Sequence, residues 1–145
     1  MVKIRKVFLD TNFWVRCFIR DSEPEYQATL SVIKLIEDGR LDPFISPIVF
    51  LEIGFILSCI YRQGVEKINY YYDTITKIRN ITIVNQTNFN HALVWSRHLN
   101  LKLADCLIAS SVPKNCILVT WNKDFNKIKE VNSKTPEELI KSLKL

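Results

Sequence analysis

The sequence predicts one α/β domain, residues 1–145, with a mostly parallel central sheet of four or five strands. A length of 145 residues suits a single domain, and short apolar runs alternate with longer helical segments along the whole chain. A composition of 48% hydrophobic and 24% charged residues is typical of globular proteins and excludes a disordered or fibrous chain.

The first half of the chain contains clear element boundaries. Val7–Leu9 is a short apolar run, which predicts a buried strand. Glu23–Glu25 supplies acids and a proline, which are signals of a helix start, and Ser46–Pro47 places a capping residue before a proline. The elements predicted in order are a strand at 7–9, a helix from 10 or 11 to 20, a helix from 23 to 38, a strand at 43–45, and helices at 47–63 and 65–77.

The second half repeats the alternation. Ile81–Val84 and Cys116–Val119 are strand-like, because both are rich in β-branched or apolar residues. Thr135–Glu138 has the spacing of a capping box with a proline inside it. We therefore predict strands at 81–84 and 116–119, and helices at 87–99, 103–111 and from 135 to the end. This order of elements favours a parallel sheet.

Several classes of protein are excluded by what the sequence lacks. No apolar run approaches the roughly 20 residues of a membrane span, and the apolar run at 7–9 is too short for a signal peptide, so we expect a cytoplasmic protein without a membrane partner. With three glycines in the chain, no dinucleotide-binding, Walker A or serine-hydrolase motif is present. The four cysteines form no paired motif and are predicted to be free: Cys17, Cys59, Cys106 and Cys116.

Three acids stand alone inside apolar segments. Asp10, Glu52 and Asp105 are the only charged residues in residues 7–15, 43–61 and 103–113, respectively. Burying an unpaired carboxylate costs several kcal/mol or more, against a total stability of about 5–15 kcal/mol. The cost falls if the three acids meet in one cleft and share a hard divalent cation such as Mg²⁺ or Mn²⁺. The position of Asp10 after the first strand allows this, since ligands bind at the carboxyl ends of parallel strands.

Each acid also has a purely structural interpretation. Asp10 would cap the helix that follows it, Glu52 would be a hydrogen-bonded core acid, and Asp105 would complement a helix dipole. A fourth candidate, Asp124, lies among lysines and is equally well interpreted as a solvated loop acid. The joint pattern favours a shared site more than any single acid does.

The chain resembles the PIN domain family and, within it, the VapC-like toxin ribonucleases. Five motifs carry the resemblance in order along nearly the whole chain: Phe8–Asn12 with Asp10, Thr11 and Asn12; Ser46–Glu52; Leu103–Ala109; Leu118–Phe125; and Thr135–Leu139. The resemblance implies a three-layer α/β/α fold and an Mg²⁺- or Mn²⁺-dependent endoribonuclease. It also implies a homodimer and an antitoxin protein as a partner.

The resemblance assigns the catalytic acids to Asp10, Glu52, Asp105 and Asp124. Many members of the family carry an Asp where this chain has Asn122. Either Asp124 takes the fourth position of the site, or Asn122 serves as a neutral metal ligand or holds a water. The number of metal ions, one or two, is left open by this departure.

The expected mechanism uses a metal-activated water, because no histidine is obviously placed as a general base. Thr120 is expected to hold Asp10 or a metal-bound water, Trp121 to stack on a base, and Lys123 to contact a phosphate of the RNA substrate. Two other functions compete with this one. They are a phosphatase of the haloacid dehalogenase type, which needs an acid where Asn12 stands, and a non-catalytic scaffold of the same fold that binds RNA or protein.

Overall fold

Five parallel strands form the centre of the structure, a computed structural model that describes residues 3–143. The strands are β1 (Arg5–Leu9), β2 (Leu41–Ile45), β3 (Thr82–Ile83), β4 (Cys116–Val119) and β5 (Asn132–Lys134). All four strand pairs are parallel, and helices cover the sheet in the three-layer α/β/α arrangement. The predicted fold class is therefore confirmed.

Seven α-helices connect and flank the strands within residues 3–143. They are α1 (Thr11–Phe18), α2 (Glu23–Glu37), α3 (Pro47–Cys59), α4 (Val65–Thr76), α5 (Phe89–Leu99), α6 (Leu103–Ser111) and α7 (Pro136–Leu143), with a 3-10 helix at Lys123–Lys127. The first and third helices end earlier than predicted, at Phe18 and Cys59. The capping box is present as predicted, because Glu138 N–H donates to Thr135 Oγ1 and Thr135 N–H donates to Glu138 Oε1.

The strand order β3-β2-β1-β4-β5 fixes where a ligand site is expected. The chain runs outward from β1 through β2 to β3, and then crosses back to place β4 on the other side of β1. Right-handed crossovers in opposite directions leave a crevice at the carboxyl ends of the two strands where the direction reverses. That switch point lies between β1 and β4, which pair from Lys6 with Cys116 to Leu9 with Val119.

The core surrounds the central strand. Val7, Phe8 and Leu9 of β1 are all fully buried, which is the pattern of a strand that has helices over both of its faces. At Gly54 on α3, a Cβ atom would collide with the hydroxyl of Tyr72, which donates to Phe50 O at 2.9 Å. Glycine therefore allows α4 to pack closely against α3.

Sequence analysis did not predict β5 or the 3-10 helix. β5 has the residues Asn132, Ser133 and Lys134, none of which is apolar, so neither period nor propensity indicates a strand. It forms because Thr120 N–H donates to Lys134 O and the backbone of β4 offers a free edge. No helix within residues 3–143 is long and apolar enough to span a membrane.

Candidate active site

The switch point of the sheet carries Asp10 and Thr120, the residues that directly follow β1 and β4. Both side chains are buried, with exposures of 4% and 3%. Asp10 N–H donates to Val119 O at 3.1 Å, and Thr120 Oγ1 donates to Asp10 Oδ2 at 2.7 Å. Two strands that are 110 residues apart in the chain therefore hold one carboxylate at their common edge.

The hydroxyl of Thr120 has all its hydrogen-bonding groups in use. It accepts from Asn12 Nδ2 at 3.1 Å and from Asn122 N–H at 3.0 Å. A hydroxyl has two acceptor lone pairs and one proton, so its proton is directed at Asp10. This network orients Asp10 before any ligand binds.

Glu52 reaches the same region from α3. Its Oε1 accepts a hydrogen bond of 2.7 Å from Thr11 Oγ1, and Thr11 is the residue next to Asp10. The side chain of Glu52 is only partly buried. It raises the pKa of both Asp10 and Asp105 by like-charge repulsion, so the three carboxylates lie in one local field.

Asp105 lies in the first turn of α6 and is partly buried. Its Oδ2 accepts a long hydrogen bond of 3.4 Å from Asn122 Nδ2. Asn122 Oδ1 accepts from Asp124 N–H at 3.0 Å, which identifies that atom as the oxygen. Asn122 therefore turns its amide nitrogen, not its oxygen, toward Asp105. Asp124 is exposed and lies at the rim, where its charge also raises the pKa of Asp105.

Burial and repulsion act together on these acids. Burial raises the pKa of Asp10 from its ordinary 3.8 to about 7, although the hydrogen bonds from Thr120 and from the backbone of Thr11 oppose the rise. The charges of Glu52 and Asp105 add to it. The pKa of Asp105 is also raised, first by burial and then by Glu52, and Lys102 partly offsets this. No salt bridge among residues 3–143 neutralises any of the three carboxylates.

Carboxylate oxygens suit a hard divalent cation, but the three acids are too far apart in this structure to bind one ion together. Within residues 3–143, no three His, Cys, Asp or Glu side chains lie close enough together to hold a metal ion. The hydrogen bonds explain why, since Glu52 is directed at Thr11 and Asp105 at Asn122. What the region supplies is carboxylate oxygens, the donors that Mg²⁺ and Mn²⁺ prefer.

Other residues singled out in the sequence lie around this region or away from it. Trp121 is half-buried and donates from Nε1 to Glu137 Oε1 at 2.9 Å, while Lys123 is exposed on the 3-10 helix. His91 and His98 are exposed on α5.

Sequence analysis did not identify Lys102, whose positive charge lowers the pKa of Asp105. Its position three residues before Asp105, at the start of a helix, was the available signal.

Two structural interpretations of the polar residues are wrong in detail. Asp10 occupies the N-cap position of α1 but makes no side-chain cap hydrogen bond, because its carboxylate is bound to Thr120. Ser46 likewise caps α3 by position alone, and its buried Oγ has no hydrogen-bond partner among the described residues. The acids are also less uniformly buried than their apolar segments suggest, since only Asp10 is fully buried.

The four cysteines are free, as predicted, although Cys59 is exposed.

Comparisons with known proteins agree with the fold. The family model described as PIN domain matches residues 7–131. No curated protein matches the chain in sequence.

Solved structures share the fold at low identity. A crystal structure of VapBC2 from Rickettsia felis bound to a promoter DNA fragment has a TM-score of 0.64 at 20% identity, covering 90% of this chain and 98% of that one. VapBC-1 from nontypeable Haemophilus influenzae gives 0.64 at 20% identity, covering 91% and 98%. PAE2754 from Pyrobaculum aerophilum gives 0.62 at 16% identity, covering 97% and 95%.

Proposed function

Because the chain belongs to the PIN domain family, we propose that it is a divalent-metal-dependent endoribonuclease that hydrolyses RNA phosphodiesters. One observation carries the proposal. Asp10, Glu52 and Asp105 come from three distant parts of the chain and repel one another at the switch point of the sheet, without a salt bridge among residues 3–143 to neutralise them. Such a cluster costs stability unless a cation is recruited to it.

Asp10, Glu52 and Asp105 would hold the Mg²⁺ or Mn²⁺ ion. An ion held there would supply the chemistry of a divalent cation, which is to lower the pKa of water and to offset negative charge on phosphoryl oxygens. Asn122 directs its nitrogen at Asp105, so its proposed role is to orient that carboxylate or to hold a water through its remaining oxygen lone pair. Asp124 is proposed as a rim acid that completes the set, and the number of ions, one or two, stays open.

The remaining residues position these groups and the substrate. Thr120, held by Asn12, orients Asp10, and Thr11 does the same for Glu52. Exposed lysines at the rim, Lys102 and Lys123, would contact phosphates on either side of the scissile bond. The indole of Trp121, fixed by Glu137, would stack on a base.

We further propose that the protein is the toxin of a toxin–antitoxin pair, forms a homodimer and acts in the cytoplasm. The VapBC structures named above support an antitoxin partner by similarity of fold. An exposed apolar surface on α3 supports a protein contact, since Leu51 and Phe55 are 72% and 66% exposed one helical turn apart. The dimer is tested by light scattering of the double variant Leu51→Asp/Phe55→Asp. The control is Val94→Asp, which changes an exposed apolar residue on α5. A dimer that survives the double substitution contradicts this contact.

The function is tested by RNA cleavage in Mg²⁺ or Mn²⁺, with EDTA and with Asp10→Asn. We expect Asp10→Asn to lower the rate at least ~100-fold, because a metal site contributes several kcal/mol to the transition state. Asp73→Asn removes an exposed acid from α4 and serves as the matched control with an unchanged rate. Cleavage that survives EDTA, or an Asp10→Asn variant as active as the control, contradicts the proposal.

A non-catalytic scaffold that binds RNA or protein is the second candidate. The amide nitrogen that Asn122 turns toward Asp105 favours it, because the acids are not closed around an ion. Tight RNA binding without cleavage in either metal would support the scaffold. A phosphatase of the dehalogenase type is disfavoured, because the position of its second acid is taken by Asn12, which donates to Thr120.

A further inference from the structure

The opposite edge of the sheet carries a second feature that the proposed nuclease site does not use. A cavity of about 1040 Å³ lies at the amino ends of β1 and β4. At a rise of about 3.3 Å per residue, the five residues of β1 separate this cavity from the acids by roughly 17 Å. We call it the basic groove, and its charged lining consists of Lys3, Arg5, Lys6, Lys114 and Glu130.

The cations of the basic groove are available to a ligand. Lys3, Lys6 and Lys114 are exposed. No salt bridge among residues 3–143 involves these lysines or Arg5. Four positively charged residues therefore line or border one cavity, and a polyanion would be attracted to them.

The single carboxylate of the groove, that of Glu130, already has partners within the protein. Glu130 Oε2 accepts from Trp95 Nε1 at 2.8 Å and lies 3.7 Å from His91 Nε2. The arrangement also fixes an aromatic ring at the groove, because the His91 imidazole packs on the Trp95 indole with centroids 4.1 Å apart. The side chain of His91 remains 47% exposed. Unpaired cations beside an aromatic ring are the combination that binds single-stranded nucleic acid.

We propose that the basic groove binds the phosphate backbone of single-stranded RNA, with a base stacked on His91, at a place separate from the proposed cleavage site. The choice of RNA rests on the proposed function, whereas the anionic ligand follows from the groove itself. A substrate long enough to occupy both edges would be held by the basic groove while another of its phosphodiesters is cut.

The test is the binding of a fluorescent 20-nucleotide polyuridine in EDTA, followed by anisotropy over a range of salt concentrations. Lys6→Gln/Lys114→Gln should make the slope of log affinity against log salt shallower by about 1.4, since each phosphate contact to a single strand contributes about 0.7. Lys67→Gln/Lys77→Gln removes the same charge from exposed positions at α4 and should leave the slope unchanged. A slope that is equal in the two double variants overturns the proposal.

A second variant separates stacking from charge. His91→Ala, measured at pH 8, should weaken binding about fivefold, the lower end for one stacked base, while the salt slope is retained. If His91→Ala binds with the affinity of the unmodified protein, no base stacks on His91 and that part of the proposal is wrong. An acidic polypeptide that binds in a manner dependent on Lys6 and Lys114, when the RNA does not, would overturn the RNA assignment.

These outcomes are independent of the nuclease test. Binding is measured in EDTA, so it does not depend on the metal ion that the proposed nuclease needs. If the chain cuts RNA but the groove variants bind normally, the groove proposal fails alone. If the groove variants shift the slope but no RNA is cut, the proposed nuclease fails alone.

Discussion

The two ends of strands β1 and β4 differ in charge and in how that charge is accommodated. At the carboxyl ends, a buried acid and two partly buried acids repel one another, and the pKa of Asp10 rises to about 7. At the amino ends, lysines are exposed to water around an open groove. Like charges in water are screened and weakly coupled, whereas like charges out of water are costly. The acid end would therefore gain stability from a bound cation, whereas the basic end would gain little stability from its proposed ligand.

The largest expected effect is the pH dependence that Asp10 gives to the metal-free protein. The native pKa of about 7 lies above the ordinary 3.8, so the native state holds more protons than the unfolded state between those values. The contribution of this group to stability is therefore greatest below about pH 4 and is lost as the pH rises through 7, by on the order of 4 kcal/mol. Denaturation by urea in EDTA should show the fall in the unmodified protein and a flatter profile in Asp10→Asn. Parallel profiles would mean that Asp10 is hydrated.

A smaller effect is expected at Thr120, because this residue orients Asp10 but carries no charge itself. Thr120→Val removes the hydroxyl that stabilises ionised Asp10. It also leaves the side-chain amide of Asn12 and the backbone N–H of Asn122 without this acceptor. We expect a loss of about 1–3 kcal/mol in the free energy of unfolding and a cleavage rate about 10- to 100-fold lower. Thr120→Ser keeps the hydroxyl and should retain most of both. Equal losses in the two variants would assign Thr120 a packing role only.

Relief of repulsion at the acid end should stabilise the metal-free protein. Glu52 raises the pKa of Asp105, so Asp105→Asn removes one member of a repelling set. We expect the melting temperature in EDTA at pH 8 to rise, because the substitution removes one charge from the repelling set. A fall of several degrees instead would mark Asp105 as a structural acid.

The smallest effect is expected at the basic end. Lys6→Gln/Lys114→Gln should change the free energy of unfolding by no more than about 0.5 kcal/mol, because exposed charges far from other features contribute little. Thermal denaturation of this double variant beside Asp105→Asn compares the two ends directly. A change as large as that of Asp105→Asn would show that like-charge repulsion destabilises both ends to a similar extent.

The sequence was most informative where apolar pattern and chemistry conflict. The costly position of lone acids in apolar segments singled out Asp10, Glu52 and Asp105. The structure brings their charges close enough to act on one another. The buried strands and the helix at 103–111 were found for a related reason, because their apolar content or periodicity is strong.

What the sequence did not reveal depends on contacts between distant residues. β5 is polar and exists because β4 offers it an edge. The direction of the Asn122 amide depends on the backbone N–H of Asp124 and on Asp105, 17 residues away. The basic groove unites the start of the chain with residues near 91, 114 and 130. No local pattern encodes such a meeting of separate segments.

The most direct measurement of the central claim, that the separate acids share one divalent ion, is calorimetric titration with Mn²⁺. We expect saturable binding to the unmodified protein, and binding weakened at least ~100-fold in Asp10→Asn, because removal of one carboxylate forfeits several kcal/mol of ligation. Asp73→Asn should bind as the unmodified protein does. Absence of binding at millimolar Mn²⁺, or equal affinity in Asp10→Asn and Asp73→Asn, would contradict a shared ion.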